Sequence, residues 1–244
     1  MTNSKDDEAR PSGGLCLAID TAGARCSAAV LDMGAKAVLA EAEPEIGRGH
    51  AEKLMEVVAD VLKAADASYA DLSRVAVTLG PGSFTGIRVG VATARGLALA
   101  LNVPALGVST LEALAEPFLD GSGSVLAVQD AKRGEVYVAL YAPDGALLAG
   151  PAAIAPDDLP VFAGEAAAPL RLVGSGAGIA AERLPDAEIA DDTGAVAIAA
   201  VARIGARRMP GEAVRPLYLR GADAKPQTAP SLRRSGSQPG FALK

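Results

Sequence analysis

The segment GPGSFTGIRVGVATARGLALAL, residues 80 to 101, constrains the fold more than any other stretch of the chain. It follows RVAVTL, residues 74 to 79, a continuous apolar run of the kind expected for a strand buried on both faces. An Ala-rich amphipathic run comes next, Pro104 ends it, and ALGV at 105 to 108 reads as another strand. A strand, a glycine turn, a helix and a strand make a right-handed crossover, which places parallel strands in a sheet flanked by helices. GPGSFTG itself is G-x-G-x-x-x-G, neither the dinucleotide fingerprint nor a P-loop with its Lys. Its glycines permit positive φ and a close approach to something. Either backbone N–H groups hold a phosphate at the helix start, or the glycines serve a tight strand-to-helix turn.

Upstream, LCLAID (15 to 20), CSAAVL (26 to 31) and KAVLAEA (36 to 42) are short extended runs separated by glycine turns, which predicts an antiparallel meander. Ala51, Leu54, Met55, Val58, Val61, Leu62 and Ala65 recur at three and four spacing, one face of a helix from about His50 to Ala65. Three antiparallel strands followed by crossovers give a five-stranded mixed sheet of the ribonuclease-H-like kind. Two such lobes build the actin, sugar kinase and Hsp70-ATPase superfamily. The second half repeats the opening. VLAVQD (125 to 130), EVYVALYA (135 to 142) and LLAG after the turn at 143 to 145 predict three strands. LRLV predicts a strand running into GSGAG (174 to 178), residues 195 to 208 a helix, and PLYLR (216 to 220) a terminal strand. The predicted organisation is a disordered tail at 1–14, an N-terminal lobe at 15–108, a degenerate C-terminal lobe at 109–221 and a disordered tail at 222–244.

The chain has 244 residues, is 50% hydrophobic and only 3% aromatic, so its core must be aliphatic and closely packed. Its net charge of -6 disfavours stand-alone nucleic-acid binding. No stretch reads as an apolar span of 18 residues, and the start lacks the h-region of a secretory signal. Both features predict a cytoplasmic protein. Cys16 and Cys26 read as buried thiols, and two Cys with one His cannot build a usual zinc site. No metal and no cofactor is expected.

Asp20 and Thr21 end the first strand, at the corner where this fold class handles metal or phosphate; with Gly80, Gly82 and Ser83 they are the candidate nucleotide contacts. A ribonuclease-H-type nuclease needs several converging carboxylates, and the fourth strand ends in Thr78-Leu79-Gly80 without one. GSGAG is a second possible phosphate cradle or a strand-end turn, and His50 reads as a capping or surface residue. Along the helix, Gly90, Ala94 and Ala98 form one small-residue stripe, and Ala92, Gly96 and Ala100 another. Gly90 and Gly96 each cost about 1 kcal/mol of helix propensity relative to Ala, so close helix packing is expected in return. Leu54, Val58 and Leu62 with Gly90, Ala94 and Ala98 are therefore the candidate partner interface.

LAIDT (17 to 21), RGHAEKL (48 to 54), VTLGPGSFTGIRVGVATARGLA (77 to 98), GVSTLEALA (107 to 115) and PLYLR resemble the TsaB (YeaZ) family in order and spacing. The GPGSFTGIRVG block is the specific part. The resemblance implies a subunit of the bacterial machinery that makes N6-threonylcarbamoyladenosine at position 37 of tRNAs reading ANN codons. In that machinery a paralogue, TsaD, carries the catalytic work and TsaE is an ATPase. TsaB is similar in fold to TsaD and pairs with it through N-lobe helices. It further implies a possible homodimer when free, and tRNA reached only through the complex. Catalytic paralogues carry Asn-His-Leu-Glu-Gly-His, whose histidines bind metal; here the stretch is Ser109-Thr110-Leu111-Glu112-Ala113-Leu114. Thr110 and Leu114 stand in the histidine places, and neither side chain suits such a metal. No catalytic residue is assigned. The alternative is a small ATP-dependent phosphotransferase or ATPase of the same superfamily, using Asp20 and the glycine loops.

Overall fold

The computed structural model describes residues 13–220. Apart from Gly13 and Gly14, the two tails predicted above lie outside the described residues. Strands β1 (Leu15–Asp20), β2 (Ser27–Asp32) and β3 (Ala37–Ala42) lead into α1 (His50–Ala64), β4 (Leu72–Thr78), α2 (Phe84–Leu101), β5 (Ala105–Val108) and α3 (Thr110–Ala115). The pattern then repeats with β6 (Ser124–Lys132), β7 (Glu135–Tyr141), β8 (Leu147–Ile154), α4 (Leu159–Phe162), β9 (Leu170–Val173), α5 (Ala177–Ala181), β10 (Glu188–Asp191) and α6 (Ile198–Arg207). The sheets run β3-β2-β1-β4-β5 and β10-β9-β6-β7-β8. Taken from β8, the second has the order of the first. In each, the first three strands are antiparallel and the last two join in parallel. This is the two-lobed, ribonuclease-H-like α/β fold expected. The second lobe keeps the topology but shortens its crossover helices.

Hydrophobic burial produces five layers. α1 and α2 cover the outer face of the first sheet, packing Leu54, Val58 and Ile87 on Leu17, Ile19 and Val77. α4 and α5 cover the outer face of the second, with Leu159 and Ala177 on Leu126 and Val138. Between the sheets lie α3 and α6, and their lobes exchange them. α3 follows β5 but packs on β6 and β7, whereas α6 follows β10 but packs on β1, β2 and β4. Their Leu111, Leu114, Ile198 and Val201 join Cys16, Ala18 and Ala76 of one sheet to Val125, Ala127 and Tyr141 of the other in one core. The exchange is counted by the repeated order, in which each unit ends on the helix it gives away; set against the boundary expected at residue 108, α3 already belongs to the C-terminal lobe and only α6 crosses.

Residues of other elements cap both ends of α6. Its N-cap, Ala197, has no side-chain acceptor, and Glu43 Oε1 accepts from Ile198 N at 2.7 Å. At the other end Arg74 of β4 donates to the carbonyls of Gly205, Ala206 and Arg208 at 3.2, 2.8 and 3.1 Å. The orphan groups that every helix leaves at its ends are thus met from the first sheet. Arg203 of α6 forms a bidentate pair with Glu116, which follows α3, at 2.8 and 2.6 Å.

Four expectations are corrected. PLYLR is not a strand; it is tied to the glycine loop by Leu217 N donating to Leu79 O at 2.8 Å. α2 is an 18-residue helix with mean hydropathy 1.3, long and apolar enough by composition alone to cross a membrane. One side of it packs on β4, while Arg88 and Arg95 are exposed. Leu54, Val58, Leu62, Gly90, Ala94 and Ala98 are all buried, so none forms an exposed interface. A Cβ on Gly90 would meet Thr21 Oγ1 at 2.5 Å and Val77 Cγ2 at 3.3 Å, which shows why that stripe is small. The outward stripe is Ala92, Gly96 and Ala100. Finally, His50 is buried rather than a surface residue, and its Nε2 lies 3.1 Å from Arg25 O. Cys16 and Cys26 are buried free thiols, as expected, and burial pushes Cys16 up to about 12.

Gly205 brings α6 against β4, where an added Cβ would overlap Ala76 Cβ. Gly205→Ala should cost about 1–3 kcal/mol by overpacking, read as a lower urea midpoint with an unchanged slope.

Candidate functional site

The first turn of α2 is built onto the corner where β1 ends. Thr21 Oγ1 donates to Gly86 O at 2.7 Å, and Ser83 N donates to Ala22 O at 2.7 Å. Ser83 is the N-cap, its Oγ accepting from Gly86 N at 3.2 Å. A Cβ on Gly86 would overlap Thr21 O, and one on Gly82 would come within 2.5 Å of Ala22 O. Gly80 has φ of 105°, and a Cβ there would meet Ile87 Cδ1 at 2.8 Å. The amides of Ser83 and Gly86 are thus engaged within the protein. Asp20, Thr21, Gly80, Gly82 and Ser83 do converge, but on one another. GSGAG has the same construction: Gly176 N donates to Val128 O at 2.9 Å, and a Cβ on Gly174 would come within 2.5 Å of that oxygen.

Asp20 is buried at the end of β1. Its Oδ1 accepts from Ala22 N at 2.9 Å and, in a short hydrogen bond, from Thr78 Oγ1. Burial raises its carboxyl above the usual range, against the opposing pull of Thr78 and Ala22. Beside it a cavity of about 320 Å³ separates the lobes, lined in part by Asp20, Arg25, Glu45, Thr110, Gln129 and Thr193. Thr110 Oγ1 is buried there without a hydrogen-bond partner among the described residues. Leu114 is buried in the central core. Among the described residues no group of three or more His, Cys, Asp and Glu could hold a metal ion.

Sequence reasoning placed Asp20 and Thr110 but missed Arg25, Gln129 and Thr193 in this cleft. The repeat gave no signal for Gln129: aligning LAID at the end of β1 with AVQD on β6 sets Asp20 opposite Asp130 and Ile19 opposite Gln129.

Two outcomes follow from this corner. Gly86→Ala drives a Cβ into backbone rather than a flexible side chain, so it should cost about 3 kcal/mol, the upper range for overpacking, measured by urea unfolding. Asp20→Asn keeps an oxygen acceptor but cannot ionise. In the wild type the unfolded chain ionises near its usual value of about 3.9 while the folded chain resists, so native stability falls as pH rises through this window. The advantage of Asp20→Asn over wild type should vanish in acid and grow as pH rises above about 3.9, the value at which the unfolded chain ionises. A pH-independent difference in urea midpoints would show that Asp20 does not titrate there.

Comparison with known proteins places this architecture. A family model described as "TsaD: tRNA N6-adenosine threonylcarbamoyltransferase" matches residues 42–222. The Escherichia coli K12 protein named "tRNA threonylcarbamoyladenosine biosynthesis protein TsaB" is 42% identical over 130 residues. That match covers 52% of this chain and 55% of the relative, so the chain spans about half the length of that protein. An uncharacterised Mycobacterium tuberculosis H37Rv protein is 39% identical over 86% of this chain and 93% of its own. The solved structure of YeaZ from Pseudomonas aeruginosa superposes with a TM-score of 0.69 at 31% identity, covering 84% of this chain and all of that one. The glycine block, the repeated sheet order and these likenesses agree: the chain belongs to the TsaB/YeaZ family.

Proposed function

We propose that this chain is a non-catalytic subunit of the tRNA N6-adenosine threonylcarbamoyltransferase assembly. In this reading it pairs with a TsaD-like subunit and supports threonylcarbamoyladenosine formation at position 37 of tRNAs reading ANN codons. A TsaE-like ATPase joins the assembly, which works in the cytoplasm, and the free chain homodimerises through the surface that TsaD would take. The observation that carries the reading is the outward side of the first lobe. There α1 and α2 lie on one face of the sheet, leaving Met55, Phe84 and Leu99 at 43%, 55% and 84% exposure. Large apolar side chains exposed on neighbouring helices suit a protein contact. Ala92, Gly96 and Ala100 between them give a low surface that a partner helix can approach.

Two further features support a scaffold over a catalyst. Thr110 and Leu114 replace the histidine pair of catalytic paralogues, and in the glycine loop Ser83 N donates to Ala22 O and Gly86 N to Ser83 Oγ. The net charge of -6 suits a subunit that meets tRNA through its partner.

The test is co-expression with the TsaD-like protein of the same cell, co-purification, and threonylcarbamoyl transfer assays on each component and on the mixture. Activity is expected only when both are present; turnover by this chain alone, lost in Asp20→Ala, would overturn the reading. The two helix stripes separate folding from pairing. Ala94→Leu should destabilise the monomer by about 1–3 kcal/mol. Ala92→Trp should leave the thermal melt unchanged and abolish co-purification.

A further inference from the structure

The N-terminal end of α2 carries a cluster that an apolar docking face does not explain. The whole chain has four Phe, four Tyr and no Trp, yet Phe84 and Tyr218 are both about half exposed at one spot. Their rings lie 5.5 Å apart, tilted by 35°. The Arg88 guanidinium carbon stands 3.5 Å from the Phe84 ring centroid and 5.8 Å from that of Tyr218. Arg88 Nε donates to the Tyr218 hydroxyl at 2.9 Å. Tyr218 is held in turn, because its neighbour Leu217 is hydrogen-bonded to Leu79. A long, exposed arginine is thereby fixed in one orientation, and the rotamer entropy that binding would cost is spent in advance. Among the described residues no carboxylate forms an ion pair with it.

We infer that Phe84, Arg88 and Tyr218 form a preassembled anchor for a carboxylate side chain on the protein that docks along α2. The inference rests on the pairing reading proposed above. A planar guanidinium held by aromatic rings offers its remaining donors as a fork, the geometry that fits a carboxylate. Phe84 opens α2 and Arg88 follows one turn later, so the anchor stands at the N-terminal end of the helix. Arg88, Ala92, Arg95 and Leu99 follow one another at helical spacing on the exposed side, so the ionic anchor runs into the apolar surface. An RNA strand fits less well. The Arg88 guanidinium covers one face of the Phe84 ring, which a stacked base would need. Only Arg95 adds a second cation on the exposed side of α2, whereas RNA affinity draws on several.

The experiment measures the affinity of the full chain for the TsaD-like subunit at low and high salt, with thermal melts of the free chain. R88Q is expected to weaken pairing roughly tenfold or more, as an interface arginine does, and to flatten its salt dependence. R88K should recover only part of the loss, because an ammonium does not fork or lie flat. R88E loses the same ring contacts as R88Q, so any folding defect is shared. Placed opposite an acid, it must weaken pairing further. Wild-type affinity in R88Q, or equal affinities in R88E and R88Q, would overturn the anchor. So would unchanged pairing in R88Q with loss of tRNA binding by the assembled complex, which would assign Arg88 to RNA. Failure of the wild-type chain to pair at all overturns the pairing reading itself, and the anchor with it.

Discussion

Helix α6 depends on contacts from outside itself, and the two-lobed arrangement depends on α6. Glu43 and Arg74, at opposite ends of the helix, supply the acceptor and the donors that its own sequence lacks. Gly205 lets it settle on Ala76. Once there, its other side closes the central core with α3, which the first half has given to the second. Either helix removed would expose the inner face of a sheet. The exchange therefore makes the halves cooperative, and each lobe is completed only when the other has folded.

The same economy explains the glycine loops. Both GPGSFTG and GSGAG follow a parallel strand and must let a helix begin almost in contact with a neighbouring strand's backbone. Thr21 O and Val128 O occupy the space where side chains would lie. Here the nearest amides are spent on protein acceptors, and the space remaining between the lobes is the cleft beside Asp20 and Thr110. The buried Asp20 keeps two hydrogen-bond donors and gives up ready ionisation, a change that suits a structural corner.

Much of the fold was legible because it follows from local pattern. Strands β1 to β9 each correspond to a short extended run read from the sequence, and α1 has a clear three-and-four periodicity. The short β10 was missed because EIAD carries two acids among its four residues and shows no apolar run. PLYLR alternates like a strand, yet Leu217 N is tied to Leu79 O beside the glycine loop and the segment forms no strand. The candidate site was legible in part. Asp20, Thr21 and the glycines were marked by type and place, but their mutual contacts depend on distances across residues 20 to 86. Arg25 and Thr193 carry no motif, and only the approach of two lobes brings them to the same cavity.

The sequence by itself determined the repeated order of strands and helices, the aliphatic character of the core and the need for close approach at each glycine. Those properties follow from side-chain period, size and backbone freedom, which neighbouring residues set. Only the tertiary structure decided which side of α2 faces the sheet. Its two small stripes are nearly equivalent in sequence, and the choice of Gly90, Ala94 and Ala98 for burial came from the positions of Thr21 and Val77. The exchange of α3 and α6 was likewise decided there, because the acceptor and donors that hold α6 lie more than a hundred residues away along the chain.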